Sequence, residues 1–268
     1  MVQPKIVFLG TGGDAFVVGK QILASGGIII QSGETQLHLD PGPGSLVKAK
    51  EYNVDIRLNT AILVSHAHIN HCNDVNALIE AMTFSGLDVH GVLVCNSTVF
   101  YGYNTTKPYI TDHHRKWVER CLVLDPHQKI GINDLDIYAT PTKHSDVKGI
   151  GFRINAHDFS IGYTSDTELF PELSQAFKDV DVLILNVPFP GELKTNQNLC
   201  VVDAVKLLKE VKPQLAVITH FGIKMLESDI LNQVREIQKA SKVETIAAKD
   251  GMAINPLTYS VNMRRKKF

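Results

Sequence analysis

This chain has no excess of either charge. It carries 27 Lys and Arg against 28 Asp and Glu, a formal net charge of -1. Without a global field there is no general pull toward nucleic acid or an anionic membrane, so any basic surface must be local. The four cysteines, at 72, 95, 121 and 200, include no CxxC pair. That argues against a disulfide framework or a thiolate zinc knuckle, and it suits a reducing compartment. No run reaches about 18 uninterrupted apolar residues, so no membrane span is expected. The opening MVQPKIVFLG is too short an apolar run for a signal peptide and leads straight into a strand. These absences together describe a cytoplasmic protein. Low-complexity segments, sequence repeats and linkers rich in Pro, Gly or Ser are also missing. The expectation is one domain, 1–268, made of two similar halves.

The composition that is present is ordinary for a globular protein: 44% hydrophobic and 21% charged over 268 residues. That length can bury a sizeable core. KIVFLGTGG is an apolar run ending in glycines. GGIIIQSGETQLHLD reads as two strands around an SGE turn. NTAILVSHAH is a buried strand. NDVNALIEAMTFSG has helical spacing, with a cap at Asn73 or Asp74 and a stop at Gly86. Further on, LDIYATPTKHS, GIGFRINA and FSIGYTSDT read as strands, the last two joined by an HD turn. Helices and buried strands then alternate through ELFPELSQAFKD, VDVLILNVPF, VVDAVKLLKEVKP, QLAVITHFG and SDILNQVREIQKAS. Each half is strand-rich first and alternating later, so the architecture expected is α/β, two packed sheets with helices outside both. RRKKF at the end is expected to be a solvated tail.

SHAHINHCND, residues 65–74, carries the chemistry. His66, His68 and His71 follow a buried strand within six residues. Alternate strand residues share a face, so His66 and His68 can pinch one cation. His71 comes after a turn and would face a second. His144, Asp166 and His220 each end another apolar strand, where open sheets build their sites. Imidazole and carboxylate suit zinc, and also iron or manganese. The remaining histidines, 38, 90, 113, 114, 127 and 157, read as core or surface residues.

With these residues in hand, the sequence resembles the metallo-β-lactamase-fold hydrolases, whose signature is H-x-H-x-D-H after a buried strand. FLGTGG, LDPGPGS with Asp40, and the strand order extend the likeness over nearly the whole chain. KHSDVKGIGFRI, IGYTSDT and NLCVVDAVKLLKEVKPQLAVITHFG are similar to the ribonuclease Z and cyclic-phosphodiesterase branch. The resemblance implies a four-layer αββα sandwich with the metal site at one edge of the sheets. It implies that His66, His68 and His144 hold one metal, and that Asp166 bridges to a second held by His71, His220 and residue 70. Asp40 would orient a ligand through a hydrogen bond. A hydroxide between one or two Zn2+ ions, or Mn2+ or Fe, would attack a small or cyclic nucleotide-like phosphodiester. Homodimers are common among relatives of this kind.

Three departures matter. Asn70 stands where the family has aspartate; it keeps the shape but loses the charge and cannot act as a base. Asn198 stands where the branch has a histidine, and it cannot deliver a proton near pH 7. The region between GVLVCN and LDIYATPT is too short for a tRNA-gripping arm, so tRNA processing is not expected. GTGGDA lacks a phosphate-loop lysine and is read as a tight turn. The catalytic candidates are therefore Asn70, Asp166 and Asn198. The functional expectation is a metal-dependent phosphodiesterase, attenuated at Asn70. The alternatives are a mononuclear metal enzyme and a non-catalytic, metal-stabilised binding protein.

Overall fold

The computed structural model describes residues 3–193 and 197–266; Lys267 and Phe268 of the RRKKF tail lie outside them. The chain forms two compact units. One comprises Met1–Gly10, Leu23–Asp125 and Asp250–Phe268; the other comprises Thr11–Ile22 and Pro126–Lys249. Each unit is built on one β-sheet, so the mixed α/β, two-sheet organisation expected from the sequence is present.

The first unit contains β1 (Lys5–Phe8), β2 (Ile28–Ser32), β3 (Thr35–Leu39), β4 (Ala61–Val64), β5 (Val92–Cys95) and β6 (Arg120–Val123). The second contains β7 (Lys129–Ile132), β8 (Leu135–Pro141), β9 (Ile150–Asn155), β10 (Ser160–Tyr163), β11 (Val182–Asn186), β12 (Leu215–Thr219) and β13 (Thr245–Ala247). The chain then returns to the first unit for β14 (Met252–Ile254) and β15 (Val261–Met263).

The first sheet runs β15-β14-β1-β2-β3-β4-β5-β6. Pairing is antiparallel from β15 to β3 and parallel from β3 to β6. The β2–β3 hairpin closes through Gly33 at φ 55, where a two-residue turn needs a positive φ. Val75–Thr83 is the amphipathic helix of this unit. Its Val75, Leu78, Ile79 and Met82 pack into a core with Val7, Ile29, Ile62, Val64 and Leu93. Each such side chain contributes about 1.5–3 kcal/mol of burial. The helix stops earlier than Gly86: Phe84 and Ser85 already take left-handed φ values of 49 and 57. Asp74 occupies the N-cap position without a capping bond from its side chain, which accepts from the Ser45 backbone N–H instead, at 2.8 Å. The tail is not wholly solvated. Arg264 donates to the Tyr52 carbonyl at 2.8 Å and Lys266 pairs with Glu51 at 3.6 Å.

The second sheet runs β13-β12-β11-β10-β9-β8-β7, antiparallel from β7 to β10 and parallel from β10 to β13. Helices Val201–Val211 and Ile230–Ser241 pack together in this unit. In both sheets the pairing changes sense at one strand, β3 or β10. Open α/β sheets gather functional groups outside the carboxyl ends of their parallel strands.

Candidate metal centre

In the first unit, β4 is entirely buried, and its apolar run fixes the exit of Ser65 and His66 from the sheet. His66 is 1% exposed and His71 2% exposed. His71 lies in the short helix Ile69–Cys72, whose first turn is closed by its N–H to the His68 carbonyl at 2.9 Å. Asp40, directly after β3, is the anchor. It accepts from the Ser65 backbone N–H (2.7 Å), the Ser65 hydroxyl (2.7 Å) and His71 Nδ1 (2.8 Å). With its proton given to Asp40, Ser65 Oγ accepts from His66 Nδ1 at 2.9 Å. These bonds assign the tautomers: His66 and His71 each carry the proton on Nδ1 and present Nε2 as a lone pair. His66 Nε2 stands 3.0 Å from His68 Nδ1. Two ring nitrogens so close call for a proton or a cation between them. Donors around a tetrahedral zinc stand about 3.3 Å apart, given Zn–N bonds of about 2.0–2.1 Å. The pair fits that spacing.

In the second unit, Asp166 is 5% exposed and His220 8% exposed. His144 follows β8, and its Nδ1 lies 2.7 Å from the Gln197 carbonyl. Donation there makes Nε2 the lone-pair atom, 3.8 Å from Asp166 Oδ2. His220 Nε2 is 3.2 Å from the other oxygen, Oδ1. Asn186, at the end of β11, donates its side-chain amide to that same Oδ1 at 2.7 Å. The carboxylate therefore turns one oxygen to each histidine, at ligand spacing.

Backbone strain gathers at these strand ends. Asp40 (φ 48), Ser165 (φ 54) and His220 (φ 66) are non-glycine residues in the left-handed region. Such residues cost on the order of 1–3 kcal/mol each and persist only where neighbours hold them. For His220 the neighbour is the GTGG loop. Thr11 accepts from the Phe221 N–H at 2.8 Å, and the Gly13 N–H donates to the Phe221 carbonyl at 3.0 Å. A Cβ on Gly13 would stand 2.1 Å from the His220 carbonyl oxygen. The glycine is thus needed for close approach, which corrects the reading of this loop as a simple tight turn.

Asn70 is half-buried in the same short helix as His71. Its carbonyl lies over Gly42, where a Cβ would come within 2.2 Å. Asn198 is half-buried two residues before Cys200, the N-cap of Val201–Val211, and directly follows the Gln197 carbonyl that orients His144. Sequence reasoning missed Ser65 and Asn186. Both sit at the end of a buried strand, the same signal that marked the histidines, but neither is a residue type that draws attention as a ligand.

The family described as the β-lactamase superfamily domain matches residues 35–221, and this chain belongs to it. An uncharacterised protein of Methanocaldococcus jannaschii is 33% identical over 258 residues, covering 96% of each chain. Solved structures carry the same fold. The metallo-β-lactamase fold protein YhfI of Bacillus subtilis has a TM-score of 0.78 at 20% identity, covering 94% of this chain and 99% of its own. A diphosphatase of the PhnP family has 0.68 at 17%, covering 94% and 97%. The short form of human tRNase Z has 0.68 at 14%, covering 93% and 98%. The fold of this chain is therefore the metallo-β-lactamase fold. Among the described residues, no helix is long and apolar enough to cross a membrane.

Proposed function

We propose that this protein is a metal-dependent phosphodiesterase acting on a small or nucleotide-like phosphodiester. This reading takes the ligand set that the family resemblance implies, in which His66, His68, His144 and Asp166 would serve one cation, and His71, Asp166 and His220 a second. The observation that carries it is the protonation pattern. Hydrogen bonds hold Nδ1 of His66, His71 and His144, and so turn Nε2 of each toward a ligand position. Hydrogen-bonded imidazole of this kind is the usual form of a metal ligand. Bound divalent cations would polarise the phosphoryl oxygen and lower the pKa of water from 15.7 toward about 7. The protein supplies the orientation: Asp40 holds His71 directly and His66 through Ser65. Zinc fits the nitrogen-rich set; manganese and iron share its preferences. Hydrolysis at phosphorus also suits the company of a diphosphatase and a tRNase Z that share the fold.

The test is turnover of bis(p-nitrophenyl) phosphate by protein of known metal content. Turnover lost with a chelator and restored by Zn2+ or Mn2+ supports the reading. Metal-loaded protein inactive across phosphodiester, thioester and lactone substrates overturns it.

A second reading rests on Asn70 and Asn198. Neither amide can transfer a proton near pH 7, so the chain would be an attenuated enzyme or a metal-stabilised binding protein. Asn70→Asp separates these. A rise in turnover of at least tenfold marks an attenuated hydrolase; no change marks a substrate of another class or a site that is not catalytic.

A further inference from the structure

Asn186 is buried, at 1% exposure, and has no place in the ligand set described above. Its side-chain amide nitrogen reaches Asp166 Oδ1 at 2.7 Å and the Tyr163 hydroxyl at 3.3 Å. Both amide hydrogens are thereby committed. The opposite flip would set a carbonyl oxygen against a carboxylate, so the assignment follows from charge. The backbone holds the residue in turn: its N–H donates to Thr164 Oγ1 at 3.1 Å, and it lies in register with Thr219 on β12, one residue before His220. A side chain this constrained defines a direction for the carboxylate it touches.

We infer that Asn186 is a positioning residue that keeps Asp166 in a bridging attitude, one oxygen toward His220 and the other toward His144. A carboxylate whose plane is already fixed between two cation positions serves both without first losing rotational freedom. Freed from Asn186, Asp166 can rotate about its terminal torsion and offer both oxygens to one ion. Asn186 thus sets whether the centre holds one cation or two. This rests on the metal reading above and adds to it a residue that touches no ion. It also assigns the cost: the loss should fall on the His220 side, because Oδ1 is the oxygen that Asn186 holds.

The experiment is metal titration of chelator-stripped protein by calorimetry, with elemental analysis after desalting, on wild type, Asn186→Ala, Asn186→Ser, His220→Ala and the N186A/H220A double variant. Melting temperatures in EDTA monitor the apo fold. Wild type should bind two ions. N186A should keep the tighter one and weaken the other by about 10–100-fold, the usual cost of losing a hydrogen-bond partner of a ligand. N186S retains a hydroxyl donor in less space and should fall between; it carries the test should N186A not fold. On the H220A background, N186A should cost nothing further, since both act on the same ion. Two ions with unchanged affinities in N186A and N186S overturn the inference and leave the metal reading intact. So does an equal loss at both ions accompanied by a lowered melting temperature in EDTA, which would mark a purely structural residue. Wild type that binds no divalent ion overturns both.

Discussion

Both units place an aspartate after the strand where the sheet turns from antiparallel to parallel: Asp40 after β3 and Asp166 after β10. Their uses are opposite. Asp40 accepts two bonds from Ser65 and one from His71, and its oxygens are spent on protein donors. Asp166 accepts one side-chain amide and turns both oxygens toward imidazole nitrogens at 3.2 and 3.8 Å. The same topological position yields a brace in one unit and a candidate ligand in the other. What decides is the neighbouring strand end. Ser65 brings a hydroxyl and a backbone N–H to Asp40, whereas Asn186 brings a side-chain amide to one oxygen of Asp166.

The sharpest break in this comparison comes from exchanging each aspartate for asparagine. On the proposed reading Asp166→Asn removes the charge shared by two cations, so metal affinity should fall by more than about 100-fold and phosphodiester turnover with it. Calorimetry on stripped protein checks this; a D166N loss no larger than that of D40N would erase the distinction between ligand and brace. Gly13→Ala comes next. It presses on the His220 carbonyl, and a displacement of about 1 Å at a reacting centre costs on the order of 10²-fold in rate. Wild-type kinetics in G13A would show that the glycine loop does not hold His220. Asp40→Asn should cost about 10–100-fold in metal affinity, by loosening His71 and the Ser65–His66 relay.

A different effect, on folding stability and not on the metal, belongs to His38, within β3 itself. Burial pushes its pKa down from 6.5 to about 4. Its Nε2 donates to the Gly26 carbonyl at 2.8 Å, which favours the charged ring but does not offset the burial, so the folded state keeps the ring neutral. The unfolded chain takes up the proton near pH 6.5 and the folded one only near pH 4. Stability is therefore full above 6.5 and falls as pH drops toward 4, by about 3 kcal/mol in total. Urea midpoints at pH 7.5 and 4.5, in EDTA, should separate more for wild type than for His38→Gln; equal separations contradict it. Smallest is Lys266→Ala. Its half-exposed ion pair with Glu51 should contribute no more than about 1 kcal/mol to unfolding free energy.

Much of this was legible in the letters, for physical reasons. The period-two and uninterrupted apolar runs located β2 to β5 and β8 to β12, because burial on one or both faces dictates them. The clustering of His66, His68 and His71 after a buried strand identified a candidate cation site without any coordinates. Other features were hidden. β15 is three exposed residues with no pattern to betray it. The helix after Asp74 ends at Phe84 because two non-glycine residues accept left-handed backbone, where sequence favours Gly86. Ser65 and Asn186 act through hydrogen bonds whose partners lie 25 and 20 residues away, a pairing that only the register of the strands creates. Gly13 looks like any turn glycine until the chain brings His220 against it.

Equilibrium metal binding by the stripped wild-type chain bears most directly on the central claim, that the histidines and Asp166 are donors to divalent cations. Two Zn2+ or Mn2+ ions per chain are expected, one lost in His68→Ala and one in His220→Ala. Protein that stays metal-free at saturating concentrations, or that binds as before in both variants, would contradict the account.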